Sequence, residues 1–138
     1  MKGTVKWVDG AMFVAESDSG HAVVIDGPAD GGGRNLGLRP MEMVLLGMGA
    51  CTAYDVVSIL KKARQEVRDC RVELDADRAA EVPQVFTRIH VRFRVSGKGL
   101  APAQVERAIS LSAEKYCSAS IMLGKTAAIT HDFVVEEL

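Results

Sequence analysis

Several features that would point quickly to a function are missing from this sequence. No stretch reaches the roughly 18 consecutive apolar residues of a membrane-spanning helix, and Met1 to Trp7 lack the apolar core of a signal peptide. The expected address is the cytoplasm, with no membrane contact. Charge of one sign is not in excess either. With 17 basic and 18 acidic residues the chain carries −1, so no global field draws it to nucleic acid. The three cysteines, Cys51, Cys70 and Cys117, form neither a CxxC nor a zinc-knuckle spacing. In a reducing compartment their use would be catalytic or redox-sensing rather than structural. His21, His90 and His131 fall at no ligand spacing, so no metal is expected. The glycines at 31 to 33 follow no strand–GxxxxGK–helix pattern, no Ser-His-Asp arrangement can be argued, and no cofactor is expected. Without a linker or an internal repeat, the 138 residues read as one domain.

What is present is an ordinary globular composition, 48% hydrophobic and 25% charged, which supplies a real core. Residues 1–26 read as an antiparallel meander: Thr4–Val8, Met12–Ala15 and His21–Ile25, separated by the turns Asp9-Gly10 and Asp18-Ser19-Gly20. Residues 27–39 hold five glycines and no periodicity, and are expected to be a long mobile loop. Pro40 suits the first position of a helix that then runs unbroken to about Arg64. Its first half, Met41 to Ala53, has Glu42 as its single charge and is apolar nearly all round. Burial on most sides is the expectation, and a domain this small needs a second copy to supply it, so a homodimer is predicted.

From Asp69 the period changes to two, placing Cys70, Val72, Leu74 and Ala76 on one face and Arg71, Glu73, Asp75 and Asp77 on the other. Residues 84–95 repeat it, with Val85, Thr87, Ile89, Val91, Phe93 and Val95 inward and Arg88, His90, Arg92 and Arg94 outward. The two runs form a β-hairpin over 69–96. Residues 102–123 are helical, one helix to Tyr116 and a short one capped by Gly124, and 128–137 alternate as a final strand. The overall class is α+β.

Each cysteine has a bland and a chemical reading. Cys51, just after Gly47 and Gly49, is a small buried hydrophobe unless something stabilises its thiolate. Asp55, one turn on, opposes ionisation if it faces the same pocket. Cys117 lies either on the buried stripe of one continuous helix or at a new helix start, where free N–H groups and Lys115 would favour its anion. Cys70, on the apolar face of a strand, reads as core. The basic row Arg88 to Arg94 reads as a solvated charge ladder with Glu73, Asp75 and Asp77 rather than a nucleic-acid surface.

Pro40-Met41-Glu42-Met43-Val44-Leu45-Leu46-Gly47-Met48-Gly49-Ala50-Cys51, followed sixty-six residues later by Glu114-Lys115-Tyr116-Cys117-Ser118, resembles the OsmC family of organic hydroperoxide reductases. Within it the chain looks like the YhfA-like branch, where PMEMVL, the stretch Asp55 to Leu60 and Ser112 to Ser118 recur in order. The resemblance implies antiparallel sheets wrapped around long central helices in an intertwined dimer. It implies that Cys51 reduces an organic hydroperoxide, that Cys117 resolves the sulfenic acid to a disulfide, and that a dithiol restores both thiols. The alternative is a non-catalytic redox-sensing or small-molecule-binding dimer using the same cysteine pair. In the peroxide-reducing branches a glutamate follows the proline and acts with a loop arginine. Here Met41 takes that place, Glu42 is turned about 100° round the helix, and either Arg34 or, preferred for its fixed distance from Pro40, Arg39 would serve.

Overall fold

Turn chemistry organises the first strands: Gly10 and Gly20, at φ 55° and 90°, reverse the chain where a side chain would be strained. The computed structural model describes residues 1–138. Its order is β1 (Gly3–Asp9), β2 (Met12–Ser17), β3 (Ala22–Ile25), α1 (Pro40–Lys62), β4 (Glu66–Arg78), β5 (Phe86–Lys98), α2 (Pro102–Leu111), α3 (Ser118–Leu123) and β6 (Ala128–Glu137). Two three-stranded sheets result, β1-β2-β3 and β4-β5-β6. The α+β class expected from the sequence is found. The chain divides into two compact units, Met1–Leu45 and Leu46–Leu138, with the division inside α1.

In the first unit the meander is antiparallel throughout, as expected. The segment read as a mobile loop is instead tethered. The buried carboxylate of Asp26 accepts hydrogen bonds from the backbone N–H groups of Gly27 (2.7 Å), Arg34 (3.2 Å) and Leu36 (3.2 Å). A bridge from Ile25 to Leu38 closes its far end. The bond from Gly27 is the main reason the Asp26 carboxyl titrates below the usual range, and it outweighs the opposing effect of burial. A composition count sees five glycines; it does not see one acid gathering three donors.

Arg64 ends α1. At φ 60° it takes the left-handed position, while Gln65 N–H bonds Leu60 O and Arg64 N–H bonds Lys61 O. That is a Schellman ending with arginine in the usual glycine place, so the helix stops at Lys62, short of the expected 64. By length and composition α1 could cross a membrane, yet Met48, Val56 and Leu60 are fully buried in the second unit. In the single chain Val44 and Leu46, in its first half, remain 43% and 49% exposed.

β4 and β5 pair antiparallel, with Glu73 opposite Arg92, Asp75 opposite His90 and Asp77 opposite Arg88. The strands are longer than 69–96 at both ends. The charge ladder forms: Arg88 meets Asp77 at 2.7 Å and Asp75 at 3.2 Å, and Arg94 meets Glu73 at 2.7 Å. β6 adds Asp132 beside His90 (3.3 Å) and Glu136 beside Arg94 (3.3 Å). The opposite face, Ile89, Val91, Phe93 and Val95, is buried. Val85 and Thr87 were expected there too and are exposed, because a register shift between Asp77 and Arg78 inverts the alternation and sends Phe86 inward. Cys70 is only half-buried, its thiol pushed up by partial burial and then by Asp69. β6 runs parallel to β5, contrary to the expected all-antiparallel sheet. The helices between them make a crossover, which a parallel pair requires.

Candidate functional site

Helical spacing brings Cys51 and Asp55 to one face of α1, four residues and about one turn apart. The third member comes from the break after α2. Ser112–Tyr116 form a single π turn, closed by Cys117 N–H to Ser112 O at 2.8 Å. The expected continuous helix to Tyr116 therefore ends at Leu111. Cys117 leaves helical geometry (φ −77°, ψ 98°) and becomes the N-cap of α3. Its sulfur accepts from Ser120 N–H at 3.4 Å and Ser120 Oγ–H at 3.0 Å, the place that Ser, Thr, Asp or Asn usually fills. Gly124 does close α3, but in right-handed geometry, so its left-handed freedom is not used.

The Cys51 sulfur, the Cys117 sulfur and a carboxylate oxygen of Asp55 all lie within 4.8 Å of one another. Cys51 is half-buried and Cys117 fully buried. Burial is the largest influence and pushes the Cys117 thiol up, the two Ser120 bonds pull it down, and Cys51 adds to the rise, which prevails. The new-helix reading of Cys117 is thus right in geometry, while desolvation and the neighbouring Cys51 together outweigh the donors. Lys115 does not assist, since its ammonium sits 5.3 Å from the centre of the Tyr116 ring.

Asp55 faces the thiol pair. It is held there by residues that sequence reasoning missed. Ser112 Oγ donates to Asp55 Oδ2 at 3.0 Å and lies 2.8 Å from Thr52 Oγ1. A hydroxyl has one proton, so Thr52 must donate to Ser112. Both hydroxyls are buried. The one sequence signal was a threonine in an apolar helix half. Gly49 also has a role here: a Cβ on it would come 2.7 Å from Leu74 Cδ1, so β4 packs closely on α1 just before Cys51. A cleft of about 520 Å³ opens on Asp55, lined also by Tyr54, Ile59, Lys62, Arg107 and Tyr116.

Arg39 and Glu42 belong to the first unit, where they engage each other. Glu42 Oε1 accepts from Arg39 N–H at 2.9 Å and Oε2 lies 3.5 Å from the guanidinium. The acid at the third helical position reaching back to the N-cap N–H is half of a capping box. Arg34 pairs with Asp9 at 3.5 Å.

The OsmC family model, described as OsmC-like protein, matches residues 31–132. Protein YhfA of Escherichia coli K12 is 49% identical over 135 residues, which cover 98% of each chain. A hypothetical protein from Aquifex aeolicus VF5, of solved structure, is 28% identical over 99% of this chain and 96% of its own, with a TM-score of 0.87. The organic hydroperoxide resistance protein OhrB of Bacillus subtilis, 20% identical over 96% of each chain, shares the fold at a TM-score of 0.65. A family match across most of the length, a relative nearly half identical from end to end and a common architecture converge: the chain belongs to the OsmC-like proteins.

Proposed function

We propose that this protein reduces organic hydroperoxides with Cys51 as the attacking thiol and Cys117 as the resolving one. One observation carries the proposal: two sulfurs from segments sixty-six residues apart converge within 4.8 Å, one accessible and one buried. That is the asymmetry the two roles need. The Cys51 thiolate attacks the distal peroxide oxygen, the O–O bond breaks, and the alkoxide leaves as alcohol after taking a proton, giving a sulfenic acid. Cys117 then displaces water from that sulfur to form the disulfide. The sulfurs have to close to about 2.05 Å for this. An external dithiol, oxidised in exchange, returns both thiols.

The substrate class is supported by the family and by the Bacillus relative, an organic hydroperoxide resistance protein. Arg39 and Glu42 are proposed as the activating pair. A second copy of the chain is proposed to cover Val44 and Leu46, and a reducing cytoplasm to keep the thiols ready.

The test is intact mass of reduced protein after one equivalent of cumene hydroperoxide, with hydrogen peroxide in parallel. Loss of about two mass units in the wild type is expected, with an oxygen adduct in Cys117→Ser and no change in Cys51→Ser. Absence of selective reaction refutes the proposal. It would favour a redox-sensing or ligand-binding dimer, the reading supported by Asp55 beside the thiols and by the mutual engagement of Arg39 and Glu42.

A further inference from the structure

We propose that Cys51, Asp55 and Cys117 together bind one thiophilic divalent cation, of which zinc is the representative. The cysteine pair has a redox explanation; the carboxylate beside it has none. Ionising either thiol next to Asp55 gathers like charge, whereas a cation among the three turns the same geometry into attraction. Two thiolates and a carboxylate are a donor set that suits zinc. At zinc–sulfur distances of about 2.3 Å and zinc–oxygen distances of about 2.1 Å, tetrahedral donors sit roughly 3.5–3.8 Å apart. The three atoms already lie within 4.8 Å of one another, so closure takes about 1 Å of side-chain movement.

The surroundings are those of a held ligand set. Ser112 Oγ, itself anchored by Thr52, orients Asp55, and Ser120 supplies two donors to the Cys117 sulfur. Such outer contacts fix ligands and set affinity. Half-buried Cys51 gives the ion a way in. With three protein ligands the fourth position is left to water or a small anion, the pattern of an open rather than a closed zinc site. Histidine spacing could not reveal this group, because it contains no histidine.

Binding displaces two thiol protons and moves no electrons. The ion and the disulfide are mutually exclusive, since a bonded sulfur is no longer a thiolate donor. Metal occupancy therefore masks the pair, and it does so whether or not the pair reacts with peroxide.

The experiment titrates the full reduced chain with Co²⁺ without oxygen, following sulfur-to-cobalt charge transfer and the visible bands of a tetrahedral site, then displaces Co²⁺ with Zn²⁺. Expected are one ion per chain, release of two protons per ion in weak buffer, and unchanged binding in Cys70→Ser. Affinity should fall more than tenfold in each of Cys51→Ser, Cys117→Ser and Asp55→Asn, read on variants shown folded by circular dichroism. For the wild type, methylthiolation of the thiols should abolish the bands and a phosphine reductant restore them, which needs no variant to fold. Absent charge transfer, no proton release, or wild-type affinity in Asp55→Asn overturns the proposal. Failure of the peroxide reaction leaves every one of these readouts intact, so the two proposals fall separately.

Discussion

Ser112→Ala tests the hydroxyl relay behind the thiol pair. In the wild type Thr52 donates to Ser112 at 2.8 Å and Ser112 to Asp55 at 3.0 Å, and both hydroxyls are buried. Removing Ser112 Oγ leaves the Thr52 hydroxyl without its acceptor, and a stranded buried polar group costs about 1–3 kcal/mol. The bond to the Asp55 carboxylate is also lost. A net destabilisation of about 2 kcal/mol is expected; at about 2–4 °C per kcal/mol for a chain near this length, Tm falls by roughly 4–8 °C. Thr52→Val keeps the shape and the bond to Asp55 and should cost about 1 kcal/mol. In the double variant no hydroxyl is stranded, so the combined loss should fall short of the sum by about 0.5–3 kcal/mol, the range for residues in contact. Urea melts of the four proteins give the coupling. Strictly additive losses, or a Ser112→Ala variant as stable as the wild type, would refute the relay.

Cys117 reactivity should be pH-dependent in a stated direction. Burial and Cys51 raise its pKa, so the alkylation rate of Cys117 in the wild type, separated from that of Cys51 by peptide mass mapping, should still be climbing above the ordinary thiol range. Ser120→Ala removes a donor that lowers that pKa and should shift the profile further up; a downward shift would contradict the geometry. Asp26→Asn should loosen the 27–39 segment, read as faster amide exchange at Gly27, Arg34 and Leu36. Because the folded pKa of Asp26 is depressed, its contribution to stability is complete above about pH 4 and is lost as pH falls through the folded value. The wild-type advantage over Asp26→Asn in urea should therefore shrink on acidification below pH 4 and not above it. Glu42→Gln keeps an acceptor for the Arg39 N–H while dropping the charge. It should leave Tm nearly unchanged and slow peroxide turnover, and unaltered turnover would confine Glu42 to capping.

How far the fold was legible in the sequence depends on how local each cause is. The meander turns at Gly10 and Gly20, the start of α1 at Pro40 and the pairing of Glu73–Asp77 with Arg88–Arg94 rest on neighbours or on strict alternation, and all were legible. The direction of β6 was not, because alternation over 128–137 is the same for a parallel and an antiparallel strand. The inversion at Phe86 was hidden by a one-residue bulge, which period counting cannot anticipate. The tether of the 27–39 segment depends on a single side chain reaching residues eight and ten positions away.

The site was legible in its cysteines and opaque in its support. Composition left Cys117 suspended between a buried helical stripe and a new helix start, and the structure explains why both were readable. The apolar stripe through Val105, Ala108, Ile109 and Ser112 is real and buried. It is then interrupted by one extra residue: Cys117 N–H bonds Ser112 O, five residues back, where an α-helix would use Ala113. One inserted residue rotates the chain beyond it by about 100°. In a regular helix the Cys117 N–H and sulfur would be absorbed into the stripe. With the π turn, Cys117 reaches the N-cap of α3 and its sulfur takes both Ser120 donors, while Ser112, still on the α2 stripe, turns its hydroxyl to Asp55. The ambiguity of Cys117 in the sequence is thus the trace of a helix that was bent out of register to bring a thiol to a carboxylate and a second thiol.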